Sequence, residues 1–397
     1  MYVGYDEEQE ALRQELRTYY TKLLTPEVRE KLSHSGGVGP EMRAVWKQMC
    51  ADGWAGVGWP TEYGGKALSA IEQFVFFDES MRAGAPVPML SLNTVGPTIM
   101  NFGTQEQKDY FLPKILQGDL HFCIGYSEPE AGTDLANLKT RADIDGDELV
   151  INGSKLWTSL ASDADWCWLA VRTNQEAKKH KGISMVLVPL KDENGNRTPG
   201  IEISPLHLLG DHDINAVFYT DVRVPIANVV GGIDQGWNLI TNQLNHERVT
   251  LCSSGVLERM LNGTLEWAQQ TKLADGRRVV DQEWVQMNFA RVKAGLEFLK
   301  LINWKVAWTA TQGHLDIADA SSIKVFGTEF YMQAIRMLTE VMGEAGYLPE
   351  GSPGAILKGQ LEANYRGLTI LTFGGGVNEV QRDLISIFGL GMPRSMR

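Results

Sequence analysis

One carboxylate, Glu247, falls among apolar residues that recur at helical spacing. Ile240, Leu244, Glu247 and Leu251 follow the pattern i, i+4, i+7, i+11, which places all four on one face of an amphipathic helix. Burial raises the pKa of a carboxyl group toward neutrality, where the group can take a proton from a substrate. Glu247 is therefore a candidate general base. The alternative is an ion pair with Arg248 or another buried cation.

The composition is that of an ordinary globular enzyme. The chain has 397 residues, of which 43% are hydrophobic and 22% charged, so two or three domains are expected. The net charge of about −12 and the lack of any basic run argue against a nucleic-acid partner. Four scattered cysteines (Cys50, Cys123, Cys167 and Cys252) have no metal-site or disulfide spacing, which favours a reducing compartment. With an acidic, helical N-terminus and no apolar span of about 20 residues, we expect a cytoplasmic protein without a membrane span.

The elements that must position Glu247 follow from hydrophobic periodicity, which divides the chain into three regions. Residues 1–122 have helical spacing interrupted by Gly/Pro clusters, residues 123–233 read as short strands, and residues 234–397 are helical again. Within the strand region, Asn152-Gly153 is a hairpin signal. We therefore predict an α+β multidomain protein with an N-terminal α domain, a middle β domain and a C-terminal α domain.

One long helix of the third region carries the spacing of a bundle. A 4-3-4-3 pattern is held by Val285, Phe289, Val292, Leu296 and Leu299. No G-x-G-x-x-G motif leads from a strand into a helix, and no G-x-x-x-x-G-K-[ST] motif occurs. A Rossmann or P-loop nucleotide site is therefore not expected.

Several segments resemble the acyl-CoA dehydrogenase family. Residues Ile124–Asp134 read IGYSEPEAGTD, Ile151–Ser159 read INGSKLWTS and Gly374–Ile385 read GGGVNEVQRDLI. GWAGVGWPTEYGG and FGTQEQKDYFLPKILQGD add matches nearer the N-terminus, and GLGMPR lies near the end of the chain. The resemblance covers nearly the whole chain. It implies the family's fold, in which a β-barrel-like domain lies between a helical N-terminal domain and a C-terminal helical bundle.

The resemblance also implies an FAD-dependent reaction. Family enzymes remove the α proton of an acyl-CoA thioester while the β hydride passes to flavin, which leaves a trans-2-enoyl-CoA. Small hydroxyl residues and amides can hydrogen-bond a flavin edge, while an indole supplies an apolar wall. Taken without the motif, the indole at position 157 is better explained by a hydrophobic core than by a cofactor wall, because the chain has 11 tryptophans. By analogy, the isoalloxazine contacts are Tyr126, Ser127, Gly132, Thr133, Trp157, Thr158 and Ser159.

The C-terminal motif departs from the pattern of many family members. Those members carry a catalytic glutamate before the final Q-R, and anchoring on Gln381-Arg382 puts Gly375 at that position. A second group of members uses a glutamate in an L-x-x-E-R-x segment, which LNHERV at Leu244–Val249 matches. The resemblance thus favours Glu247 as the base. The backbone NH of Gly375 can still donate to the thioester carbonyl, and the missing side chain leaves room for a wider pocket.

Two further departures concern the part of the family's FAD site that a neighbouring subunit usually completes. No R-x-x-F-G segment is present, and the Q-x-x-G-G-x-G segment reads EVMGEAGY, with Glu340 for glutamine and Glu344 for glycine. Carboxylates beside a pyrophosphate are unfavourable. We therefore expect a homologous acyl-CoA dehydrogenase subunit as partner, in an α2β2 heterotetramer with one FAD per unlike pair.

This layout resembles the paired acyl-CoA dehydrogenases of bacterial steroid side-chain breakdown, and this chain is most similar to their base-bearing subunit. The resemblance implies a bulky steroid side-chain acyl-CoA as substrate and an electron-transfer acceptor as redox partner. A flavin oxidase or monooxygenase on the same fold is one alternative. A non-catalytic partner subunit is another.

Overall fold

The computed structural model describes residues 4–33, 37–210, 213–241, 252–313 and 316–394. Its N-terminal part is helical as predicted, and a π-helical segment, Leu90–Val95, leads into the fifth helix. The six helices of this part are α1 (Glu7–Leu23), α2 (Pro26–Ser33), α3 (Pro40–Ala51), α4 (Ala70–Ala83), α5 (Gly96–Phe102) and α6 (Gln105–Leu116).

The middle part is a mixed eight-stranded sheet. Its strands are β1 (Phe122–Gly125), β2 (Arg141–Asp145), β3 (Glu148–Ser159), β4 (Trp166–Arg172), β5 (Ile183–Pro189), β6 (Ile201–Pro205), β7 (Ile214–Pro225) and β8 (Val229–Val230). The order across the sheet is β6-β7-β3-β2-β4-β5-β8, and β1 pairs with β4 in parallel. Most other neighbours are antiparallel, whereas the short β2–β4 contact is parallel.

The prediction of a hairpin turn at Asn152-Gly153 is wrong. Strand β3 runs through both residues, and the hairpin between β2 and β3 turns instead at Gly146, which has φ +65°. The pairing of β3 with β7 shifts register at this point. Asn152 exchanges two hydrogen bonds with Asp221 of β7, at 3.0 and 2.9 Å. The Asn-Gly pair thus lies at a shift of register within a long strand and does not form a turn between two strands.

The C-terminal part returns to helices, as predicted. They are α7 (Ser254–Gln270), α8 (Glu283–Thr311), α9 (Ile317–Met342), α10 (Gln360–Leu368) and α11 (Asn378–Leu384). The α8 residues predicted to face a bundle are all buried: Val285, Phe289, Val292, Leu296 and Leu299. The α+β fold with its middle β domain is therefore confirmed. The domain boundaries at 122/123 and 233/234 stay predictions.

A buried carboxylate joins the N-terminal and C-terminal helices. Asp78 of α4 accepts hydrogen bonds from the hydroxyls of Ser253 and Ser254 and from the amide of Gly255, at 2.8, 2.9 and 3.2 Å. These donors lie at the start of α7, where backbone amides lack helical partners. Asn303 of α8 donates to the carbonyl of Cys252 at 2.8 Å. Residues 252–255, which follow the undescribed range 242–251, are thus held by hydrogen bonds to α4 and α8.

No helix in the described ranges is both long enough and apolar enough to cross a membrane.

Candidate active site

The structure brings two of the sequence motifs together at one edge of β3. The amide of Leu156 donates to the carbonyl of Ser127 at 2.8 Å, and the Lys155 ammonium donates to the carbonyl of Tyr126 at 3.1 Å. From β4, the Trp168 indole NH donates to the Tyr126 hydroxyl at 3.1 Å. The chain after β1 is therefore held against β3 by main-chain and side-chain bonds.

A buried ion pair secures this arrangement, and sequence reasoning missed it. Lys155 is 1% exposed, and its ammonium lies 2.7 Å from the carboxylate of Glu128, which is 7% exposed. The same carboxylate accepts the amides of Lys139 and Thr140 at 2.6 and 2.9 Å. Glu128 thus closes the loop that follows Ser127, because it stands at the start of that loop and accepts the amides of Lys139 and Thr140 at its end.

The electrostatics of this pair are those of two buried charges. Burial opposes ionisation of Glu128, but attraction to Lys155 and its hydrogen bonds outweigh that effect and hold its pKa below the ordinary value. Burial lowers the pKa of Lys155 although Glu128 favours the ammonium. A carboxylate with satisfied acceptors beside an ammonium is a structural clamp. Its lowered pKa makes it a poor proton acceptor.

Trp157 is exposed because β3 carries an extra residue. Lys155 pairs with Val217 and Thr158 with Asn215, so three steps on β3 match two on β7. Strict alternation would put residue 157 on the same buried face as Lys155, and the bulge turns it outward. The Trp157 side chain is 54% exposed, and its φ is +64°. The indole that could have been core is instead a free apolar surface beside the Tyr126–Ser127 segment.

The other predicted flavin contacts have different environments. Gly132 and Thr133 are exposed in the loop closed by Glu128, and Ser159 is partly buried. Thr158 is fully buried, and among the described residues its hydroxyl has no hydrogen-bond partner. The exposed indole and Ser159 are therefore better placed for contact than Thr158, which lies on the opposite side of the strand. All of these contacts stay predictions.

Gly375 lies in a turn of three glycines whose backbone requires glycine. Gly375 has φ +67° and Gly376 φ +95°, a region that residues with a Cβ rarely adopt. The amide of Gly374 donates to the carbonyl of Ile370 at 2.7 Å. In the described part of the chain, the Gly375 amide has no acceptor. Within the described residues, the Gly375 amide is thus available to donate to a thioester carbonyl.

The predicted base lies outside the described residues. Glu247, with Leu244 and Leu251, falls in the range 242–251. Of the apolar positions that define its predicted face, Ile240 is described, and it is completely buried in a helical stretch at 236–241. The burial of Ile240 agrees with a buried helical face at the first position of the predicted pattern.

The two segments that depart from the family's FAD-binding pattern carry charged side chains. Glu340 is exposed at the end of α9 and accepts from Asn288 at 3.3 Å, and Glu344 is exposed in the turn that follows. Arg277 and Arg278 lie in the region that lacks R-x-x-F-G. Each forms a 2.7 Å ion pair within its own loop, with Asp275 and Asp281 respectively.

Three family models match the chain in sequence. They are described as the N-terminal, middle and C-terminal domains of acyl-CoA dehydrogenase, and they match residues 6–119, 123–222 and 234–388. The chain belongs to the acyl-CoA dehydrogenase family. Two relatives from Mycobacterium tuberculosis match over the full length of both chains, the acyl-CoA dehydrogenases FadE26 at 54% identity and FadE29 at 42%.

Solved acyl-CoA dehydrogenase structures share the fold closely. The ChsE4-ChsE5 complex from Mycobacterium tuberculosis matches with 54% identity and a TM-score of 0.92. A structure titled Tcur3481-Tcur3483 steroid ACAD matches with 47% identity and a TM-score of 0.93. Both matches cover the whole of each chain. The three-domain acyl-CoA dehydrogenase fold implied by the sequence motifs is confirmed.

Proposed function

We propose that this chain is the base-bearing subunit of an FAD-dependent acyl-CoA dehydrogenase that converts an acyl-CoA thioester to its 2-enoyl-CoA. The observation that carries the proposal is the β3 bulge. It turns the Trp157 indole outward next to the Tyr126–Ser127 segment, where the resemblance to the family predicts a flavin. An outward indole in a left-handed backbone conformation costs about 1–2 kcal/mol of strain. Such strain is typical of functional positions.

The residues present fit a flavin. An exposed indole offers an apolar wall for a ring system, and the neighbouring polar groups can meet its edge. When bound, FAD supplies the oxidation by accepting the β hydride of the substrate. Trp157 and Ser159 would hold the ring from β3, Tyr126 and Ser127 from the adjoining chain, and Gly132, Thr133 and Thr158 complete the predicted set.

The chain's own residues account for the remaining chemistry. Glu247 takes the α proton, which requires a carboxylate in a site that disfavours its charged form. The Gly375 amide donates to the thioester oxygen, where negative charge develops as that proton leaves. One such donor contributes about 10²- to 10³-fold to the rate. The left-handed turn at Gly375 and Gly376 presents an amide that no described acceptor uses.

The substrate that we propose is the CoA thioester of a steroid side chain. This rests on the similarity to the structure titled as a steroid ACAD and on the glycine at position 375. In many family members, a glutamate side chain fills that position. Its absence leaves space beside the reacting carbons for a branched or bulky acyl group.

The assembly that we propose is an α2β2 heterotetramer with a homologous subunit. Helix α8 has exposed apolar residues separated by 3, 11, 3 and 7 positions, intervals that return to the same side of a helix, and each is 47–49% exposed: Trp284, Met287, Phe298, Leu301 and Trp308. This spacing suits packing against another helix. Glu340 and Glu344 disfavour a pyrophosphate at the end of α9, so the adenine half of each FAD site is expected from the partner.

We also propose an electron acceptor and a cell compartment for the enzyme. Electrons leave the enzyme to a separate electron-transfer acceptor. A cytoplasmic location is supported by Cys50, Cys123, Cys167 and Cys252, which form no disulfide.

The test is Glu247→Gln in the assembled, FAD-loaded enzyme. We expect normal FAD content and a loss of α-proton removal of at least about 10³-fold, measured as anaerobic flavin reduction by a steroid side-chain acyl-CoA. Glu266→Gln is the control, because Glu266 is an exposed glutamate on α7. Retained reduction in the Glu247 variant would contradict the assignment of the base. Rapid turnover with oxygen as sole acceptor would instead favour an oxidase.

A further inference from the structure

A second buried lysine, Lys324 of α9, holds the glycine turn. Lys324 is 0% exposed. Its ammonium donates to the carbonyl of Gly376 at 2.6 Å, to the carbonyl of Thr372 at 3.1 Å and to the side-chain oxygen of Asn378 at 2.8 Å. These acceptors lie on both sides of Gly375. One ammonium therefore ties together the two ends of the turn that carries the Gly375 amide.

The rest of the network holds the acceptors of Lys324 in place. The amide nitrogen of Asn378 donates to the hydroxyl of Thr328 at 3.0 Å and to the carboxylate of Glu329 at 3.1 Å, which orients the oxygen toward Lys324. Arg382 of α11 forms a 2.7 Å ion pair with Glu329. The Q-R end of the family motif is thus connected to the glycine turn through α9.

We propose that Lys324 is a positioning residue for the thioester carbonyl. It fixes the Gly374–Gly376 turn so that the Gly375 amide meets the carbonyl oxygen, and its buried charge stabilises the negative charge that forms there. This inference rests on the proposed function. It adds a contributor to charge stabilisation that lies on α9, outside the glycine motif and outside the segment of Glu247.

The charge of Lys324 is what distinguishes it from a neutral hydrogen-bond donor. A neutral donor can bond two carbonyls without the penalty of several kcal/mol that burying an ammonium incurs. The charge acts at a distance within this interior. Burial raises the pKa of the Cys252 thiol to about 12, and the positive charge of Lys324 opposes that rise. The enolate oxygen would form beside the Gly375 amide, in the turn whose carbonyls at Thr372 and Gly376 accept from Lys324.

The experiment measures how strongly the site stabilises an enolate. A 3-oxoacyl-CoA serves as probe, because its α carbon is acidic and its bound enolate can be titrated optically against pH. In the FAD-loaded assembly, Lys324→Met should raise the apparent pKa of the bound probe by about one unit and lower kcat by about tenfold, the factor that one pKa unit represents. KM should change less than about threefold. Ser322→Ala is the matched control, because Ser322 lies two residues away on α9 and its hydroxyl donates to the carbonyl of Ala318 in the same helix. The midpoint of this variant should equal that of the wild type.

The outcomes separate the possible roles. A Lys324→Met enzyme with a lower Tm but unchanged probe pKa and kcat would overturn the proposal and leave only a structural role. If that variant does not assemble, Lys324→Gln and Lys324→Arg replace it. Arginine should retain the probe pKa and glutamine should raise it, and equal values would overturn the proposal. If Glu247→Gln retains activity, it is the proposed function that fails.

Discussion

Replacing Glu128 by glutamine should destabilise the middle sheet strongly while changing little of its shape. Glutamine can keep one acceptor for the amides of Lys139 and Thr140, but it leaves the Lys155 ammonium without its 2.7 Å carboxylate partner. Lys155 is 1% exposed, so water does not replace the lost charge. Removing one partner of a buried ion pair costs about 3–5 kcal/mol. We expect a loss of about 3 kcal/mol, since Lys155 keeps its bond to the carbonyl of Tyr126 and can lose its proton.

The assay is denaturant unfolding followed by tryptophan fluorescence, with FAD content measured on the same samples. Glu130→Gln is the matched control, because Glu130 lies two residues away on the same loop and pairs with Lys139 in solvent. An exposed pair contributes less than about 1 kcal/mol. A Glu128 variant as stable as the Glu130 variant would refute the clamp. The pH dependence gives a second check. Because the pKa of Glu128 is lowered on folding, its stabilisation is present above the ordinary glutamate pKa and is lost as the pH falls below it.

Strain at Trp157, the partly buried histidine His121 and the exposed apolar residues of α8 can each be tested by substitution. Trp157→Gly should stabilise the FAD-free chain by about 0.5 kcal/mol, because it relieves a left-handed φ, and it should weaken FAD binding at least tenfold; unchanged FAD affinity would contradict the indole wall. Burial and the Arg43 guanidinium lower the pKa of His121, so the folded state binds fewer protons than the unfolded state and stability should fall as the pH drops below about 6.5. His121→Asn should flatten that part of the thermal-unfolding pH profile, and an unaltered profile would exclude His121 as its source. Leu301→Glu should separate the proposed heterotetramer in analytical ultracentrifugation while Lys293→Glu, on the same helix but not one of these apolar residues, leaves it intact; assembly of both variants would place the interface elsewhere.

Periodicity and motif order were sufficient to predict the fold. The order of helices, strands and helices was readable because each region keeps one spacing over many residues, as in α8. The Asn152-Gly153 signal failed for a physical reason. A glycine with φ +148° serves an irregular strand as well as a turn, and the choice between them depends on pairing with β7.

The sequence predicted those parts of the site that consist of continuous motifs. The two flavin motifs were found in sequence, but the outward direction of Trp157 depends on one extra residue relative to β7. Likewise, Lys155 and Lys324 bond to partners 27 and up to 54 residues away. A lone lysine in a strand or helix gives no sign of such pairing, because its burial is decided by elements that are distant in sequence. The buried contacts of Lys155 and Lys324 were therefore visible only in the folded chain.

The central claim is that this chain carries a base and half of a flavin site that a homologous subunit completes. Its most direct test is FAD content and mass of the chain expressed alone and co-expressed with a homologous acyl-CoA dehydrogenase. We predict a colourless or unstable single chain and a yellow α2β2 complex with one FAD per unlike pair. A single chain that binds one FAD per subunit as a homo-oligomer, and is reduced by acyl-CoA, would contradict the shared site and the interpretation of Glu340 and Glu344.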